Sequence, residues 1–154
     1  MSKSLSLWST LILTNIIAAF WLYYFGTFGF IFSADMTYLS WFIIMVYTGI
    51  LLLIPKELRA DKPFDRKFAL HMTITNRMTD IGLFGTIIGL IFLAYAFATA
   101  DITVGDQSSV IDMIQIIFRG MGTALVTTAV GLAAELLLFA QLIAIDKVHK
   151  NEAG

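Results

Sequence analysis

The chain has 154 residues, a formal net charge of −1, a hydrophobic fraction of 58% and a charged fraction of only 14%. Soluble domains are typically about 45–50% apolar and about 25% charged, so this composition counts against a water-soluble enzyme, a disordered segment and a basic nucleic-acid binder. The absence of cysteine removes disulfides, thiol chemistry and Cys-based zinc sites, and His71 and His149 alone leave little for an imidazole metal site. With a mean hydropathy of +0.84, what remains is an all-α integral membrane protein.

A membrane helix needs about 20 mostly apolar residues. The first predicted span is 5–25, where Trp21, Tyr23 and Tyr24 read as an interfacial belt. No small-x-small cleavage site follows it, so it reads as a retained span and not a signal peptide. Residues 26–37, with Gly26, Gly29 and Asp35, read as a tight outer turn. The second span is 38–54, stopped by Pro55. The 55–80 segment holds Pro55 and Pro63, then a stretch over 64–79 that reads as a helix running into span three. Phe68, Met72 and Thr75 recur there near helical spacing, which suits either a solvated helix or a partner-docking face. The third span is 81–100. A turn-prone stretch over 101–109 follows, and then Val110, Met113, Ile114 and Ile117 share one face. They predict an amphipathic helix over 109–120 lying at the outer interface. The fourth span is 121–145. The whole chain reads as one membrane domain, 1–154, without internal repeat.

Basic residues orient the spans. Lys3 precedes the first; Lys56, Arg59, Lys62, Arg66, Lys67 and Arg77 lie between the second and third; Lys147 and Lys150 follow the fourth. Arg119 alone lies on the other side, among Asp35, Asp101, Asp106 and Asp112. Short basic loops stay cytoplasmic, so both termini and the 55–80 loop are expected inside.

The spans differ in chemistry. The first two are bulky throughout, as lipid contact requires. In the third, Gly82, Gly85, Thr86 and Gly89 form one small-residue face. In the fourth, Gly122, Thr123, Ala124, Thr127, Thr128, Gly131 and Ala134 do the same. Small faces let helices approach closely in lipid. That accounts for the glycines, while the threonines also suit a polar pathway. Glu135 stands near the middle of span four, where a carboxylate costs roughly 2.5–3.5 kcal/mol and is expected to face a bundle interior or a wet cavity. It lies seven residues, about two turns, beyond Thr128 and so on the same side of the helix. It is either a protonated group satisfied by a neighbouring helix or a proton-relay or ion-coordinating group. No catalytic constellation is present, and no enzymatic role is expected.

Two stretches together resemble the MotA/TolQ/ExbB proton-channel family: Gly82-Leu83-Phe84-Gly85-Thr86-Ile87-Ile88-Gly89-Leu90, and Gly122-Thr123-Ala124-Leu125-Val126-Thr127-Thr128-Ala129-Val130-Gly131-Leu132. That family's last two spans typically carry Gly-Leu-x-Gly-Thr-x-x-Gly and then Ala-Leu-x-x-Thr-Ala-x-Gly-Leu. The resemblance covers roughly residues 79–140. It implies a pentameric ring in the bacterial inner membrane around two copies of a single-span MotB/TolR/ExbD-like partner. The partner's membrane aspartate would take up a proton, or sodium in some members, and the proton motive force would drive relative rotation. It places Thr86 and Thr128 on the ion pathway with Thr127 beside them, and Gly82, Gly85, Gly89 and Gly131 in the packing of the partner groove. It implies no cofactor, no metal and no nucleic acid. Hydroxyls suit that role because they can accept from a protonated carboxyl or donate to an ionised one. Glu135 departs from the pattern, as does Leu137 where a proline often stands. Glu135 is therefore expected to add a proton acceptor on the cytoplasmic side of Thr128. The 55–80 loop is too short for the cytoplasmic domain of a flagellar stator. The rival reading is a small homo-oligomeric proton-coupled exporter using Glu135. The charge asymmetry, which opposes dual topology, and the threonine faces count against it.

Overall fold

The computed structural model describes residues 3–35, 37–58, 64–99 and 107–153. These fold into α1 (Lys3–Tyr24), α2 (Thr27–Ala34), α3 (Leu39–Leu58), α4 (Phe64–Thr75), α5 (Met78–Thr99) and α6 (Gln107–Ala153), with no strand among the described residues. Four helical stretches are long and apolar enough to cross a membrane: Lys3–Tyr24, Leu39–Leu58, Lys67–Thr99 and Val110–Glu152. Leu58 shares a cavity with Lys3 and Val148, and the Ser4 hydroxyl donates to Glu152 at 2.7 Å. The start of α1, the end of α3 and the end of α6 thus lie at one end of the bundle. The turn-prone 101–106 stretch, with Asp101 and Asp106, and the basic residues Arg59 and Lys62 with Pro63 lie outside the described residues.

The central element is α6. Its 47 residues form one uninterrupted helix, about 70 Å long at 1.5 Å per residue, and it touches all five others. Residues 109–120, expected as a separate interfacial helix, are therefore the first turns of this rod. The sequence between 107 and 153 contains no proline to break it. Gly120 does not interrupt it either, because it accommodates a neighbour: a Cβ there would stand 2.8 Å from the Cβ of Leu93 on α5.

Ile43, Ile50, Leu51 and Ile54 of α3, Met78 of α5, and Ala134, Leu138, Leu142 and Ile145 of α6 make the buried core. Leu7, Trp8, Leu11 and Ile12 of α1 pack against it. Span two is therefore not a purely lipid-facing helix, since it supplies much of the core. The outer faces of α1, α5 and α6 present Ile16, Phe20, Phe84, Ile91, Leu125 and Leu136, each more than half exposed. A surface this apolar suits acyl chains or neighbouring helices and not water.

Pro55 was expected to end span two, yet α3 continues through it to Leu58. Proline lacks an N–H, which leaves the carbonyl four residues earlier, that of Leu51, without its helical donor. The Trp8 indole supplies one, donating to the Leu51 carbonyl oxygen at 2.9 Å. The carbonyl freed by the proline thus becomes the attachment point of α1. Trp8→Phe keeps the ring and removes the donor, and is expected to cost about 1–3 kcal/mol by leaving a half-buried carbonyl unsatisfied. Adding Pro55→Ala returns an N–H to the helix and should recover most of that loss in thermal unfolding.

At the opposite end, residues 26–37 hold a short helix and not only a turn. Gly26 has φ 72°, a left-handed conformation that favours glycine, and α2 follows directly. The Asp35 carboxylate, 1% exposed, accepts from the Thr37 N–H at 3.0 Å, the Thr37 hydroxyl at 2.7 Å and the Ser40 N–H at 2.7 Å. It caps the start of α3. The Thr123 hydroxyl of α6 donates to the Ala34 carbonyl at 2.6 Å and fastens α2 to the rod. The expected helix over 64–79 is present but divided, with a two-residue turn at Asn76 and Arg77 separating α4 from α5.

Candidate functional site

The most extensive helix contact among the described residues is between α5 and α6, and glycines let the two backbones approach. A Cβ on Gly82 would lie 2.8 Å from the Thr127 carbonyl oxygen and 3.4 Å from the Gly131 Cα. One on Gly131 would lie 2.8 Å from the Met78 carbonyl oxygen, and one on Gly89 3.1 Å from the Ala124 nitrogen. The obstructing atoms are backbone, which cannot swing aside. Gly82, Gly85, Gly89 and Gly131 are all buried, and they face α6 or α5 of the same chain. The small-residue stripe joins two antiparallel helices within one subunit.

Thr86 and Thr128 meet at the edge of this contact. Their hydroxyls are directly hydrogen-bonded to each other across the two helices. Each also reaches the Ala124 carbonyl, at 3.0 Å in both cases, and the Gly82 carbonyl, at 3.3 Å from Thr86 and 3.4 Å from Thr128. Two hydroxyl protons are thus shared among four oxygens, with no cationic side chain in the group. Both threonines are partly exposed. The carbonyls can take the hydroxyl protons, which leaves hydroxyl lone pairs free to accept from an approaching acid. Rotation of either hydroxyl offers a donor instead.

A second polar rung lies seven residues along each helix, about 10 Å away. The Thr79 N–H on α5 donates to Glu135 Oε2 on α6 at 3.2 Å. The positions 79 and 86 on α5 run opposite 135 and 128 on α6, so both rungs occupy one edge of the seam. The expected alignment of Thr128 with Glu135 is realised. The carboxylate has also found a neighbouring-helix donor. Thr127 sits elsewhere. It is fully buried, its side chain lies against the Cα of Gly85, and its hydroxyl donates back to Thr123 at 2.9 Å and to Ala124 at 3.2 Å.

Sequence reasoning missed a polar cluster inside the other half of the bundle. The Tyr47 hydroxyl donates to Asn15 Oδ1 at 2.7 Å, and Gln141 Nε2 lies 3.3 Å from both Asn15 Oδ1 and the Tyr47 oxygen. This ties α1 to α3 and α6 with side-chain hydrogen bonds. The available signal was a lone amide in each of two apolar spans. His71, considered in the sequence only as a candidate metal ligand, is 4% exposed and bonded to Glu57 at 2.7 Å. Lys67 holds the other Glu57 oxygen at 3.4 Å. That cluster fastens α4 to the end of α3.

Comparison with family models, curated proteins and solved structures finds no match to this chain.

Proposed function

We propose that this chain is the ring-forming subunit of an ion-driven membrane motor, similar to MotA/TolQ/ExbB proteins. In this reading it lies in a bacterial inner membrane with both termini in the cytoplasm. Five copies surround two single-span helices of a partner whose membrane aspartate carries a proton or a sodium ion. The observation that carries the reading is the convergence of Thr86 and Thr128. They come from two separate motifs on two helices, yet their hydroxyls meet at one partly exposed point with no fixed charge beside them. A permanent cation there would hold a visiting carboxyl ionised. A hydroxyl pair backed by carbonyls meets it in either state. Glu135 lies on the same edge, two turns further toward the end where α1 starts and α6 finishes.

Native mass spectrometry of the complex extracted in mild detergent tests this directly. Five copies of the chain, with two copies of a single-span protein bound, is the expected result. A homodimer that transports ions without a second protein would overturn the motor reading in favour of an exporter.

A further inference from the structure

The α4–α5 joint is capped from outside. The Ile81 N–H donates to the Arg77 carbonyl at 3.1 Å, so Arg77 occupies the N-cap position of α5. A cap residue normally lends a side-chain oxygen to the N–H groups two and three positions on. Arginine has no acceptor, and the Arg77 guanidinium is paired with Asp80 at 2.9 Å. The missing acceptor comes from α6: the Thr79 N–H, two residues past the cap, donates to Glu135 at 3.2 Å. Gly131, one turn earlier on α6, lets the rod lie against this helix start, since a Cβ there would meet the Met78 carbonyl at 2.8 Å. A negative charge is at its most favourable at a helix N-terminus.

Among the described residues, several charged groups around the joint pair with one another. Arg77 pairs with Asp80 on α5; Glu57 of α3 pairs with Lys67 and His71 of α4. On α6 the nearest carboxylate toward the chain end is Asp146, eleven residues from Glu135 and paired with Lys150 at 2.9 Å. Asp80 stands in the first turn of α5 as well, paired with Arg77, and Glu135 is the carboxylate that reaches this helix start from another element.

We infer that Glu135 is a positioning residue that caps α5 from α6, and that its protonation loosens the α4–α5 joint and so passes proton occupancy of the seam to α4. As an ionised group it completes the helix start and holds the two-residue turn at 76–77 in place. Once protonated it loses the charge that the helix terminus favours, and α4 is freer to move relative to α5. This deepens the ion-pathway reading and rests on it for the source of the proton.

The chain has no cysteine, so pairs of labels can be placed cleanly. Thr73→Cys on α4 and Phe84→Cys on α5, both exposed, report the joint by spin-label distances in the full chain in lipid nanodiscs. The distance distribution should shift as pH falls and Glu135 takes up a proton. Glu135→Gln should show the low-pH distribution at every pH, with exchange of the Thr79 amide at least about tenfold faster, the scale of a lost charge-assisted hydrogen bond. Arg77→Ser added to Glu135→Gln supplies a local, non-titrating cap. It should restore amide protection without restoring the pH response. An unchanged distribution and unchanged Thr79 exchange in Glu135→Gln would overturn the inference while leaving the ion-pathway reading standing. Conversely, a wild-type complex that conducts no ions in liposomes, yet shows the pH-dependent joint, removes the pathway reading and leaves the cap.

Discussion

Replacing Thr86 and Thr128 together by valine is expected to bring ion conduction down to background while the assembly keeps its stoichiometry. Valine preserves the branched shape of threonine, so the fit of α5 on α6 survives. The change removes two hydroxyls that hydrogen-bond each other and the Ala124 and Gly82 carbonyls. Those carbonyls already serve as helix acceptors, so the stability cost should stay within about 1 kcal/mol. Conduction is measured as proton or sodium flux into liposomes holding the complete complex. Thr127→Val is the control. That hydroxyl is buried and bonded only to its own helix, so its loss should leave flux near the wild-type level. Full flux in the Thr86/Thr128 double variant would remove these hydroxyls from the pathway.

Gly131→Ala is expected to destabilise the fold by about 1–3 kcal/mol, the usual range for overpacking. Its added methyl would stand 2.8 Å from the Met78 carbonyl oxygen and 3.2 Å from the Gly82 Cα, so one helix has to give way. Gly49→Ala makes the contrast. No atom lies within 4 Å of its added Cβ, and alanine is favoured over glycine in a helix interior by about 0.8–1 kcal/mol. Thermal unfolding in detergent should therefore move in opposite directions for two identical substitutions. If Gly131→Ala stabilised as Gly49→Ala does, the close α5–α6 approach would be wrong.

Much of this arrangement is legible from residue spacing. Four apolar runs set four helices, and the glycines at 82, 85 and 89 marked the face that packs. What spacing cannot convey is which surface a small-residue stripe meets. Gly131 fits a partner helix or its own α5 equally well on sequence grounds, and the chain uses it for α5. Pro55 misled for a definite reason: a proline ends a helix unless another group serves the orphaned carbonyl, and that group, Trp8, lies 43 residues away from Leu51. Asn15 and Gln141 were overlooked because one amide hardly alters the hydropathy of a span. Their pairing through Tyr47 becomes visible only once three helices are assembled. Glu135 was singled out correctly as a group that needs a partner. The partner is a backbone N–H, which no side-chain pattern announces.

The length of α6 carries a mechanical consequence. A hydrocarbon layer about 30 Å thick holds less than half of a rod about 70 Å long at the usual tilt of about 20°. An unbroken helix bends little, so a small change in its inclination at the level of Thr128 sweeps its distant tips through a larger arc. A change of tilt beside Thr128 would therefore be felt about 36 Å away, where Glu152 holds the beginning of α1.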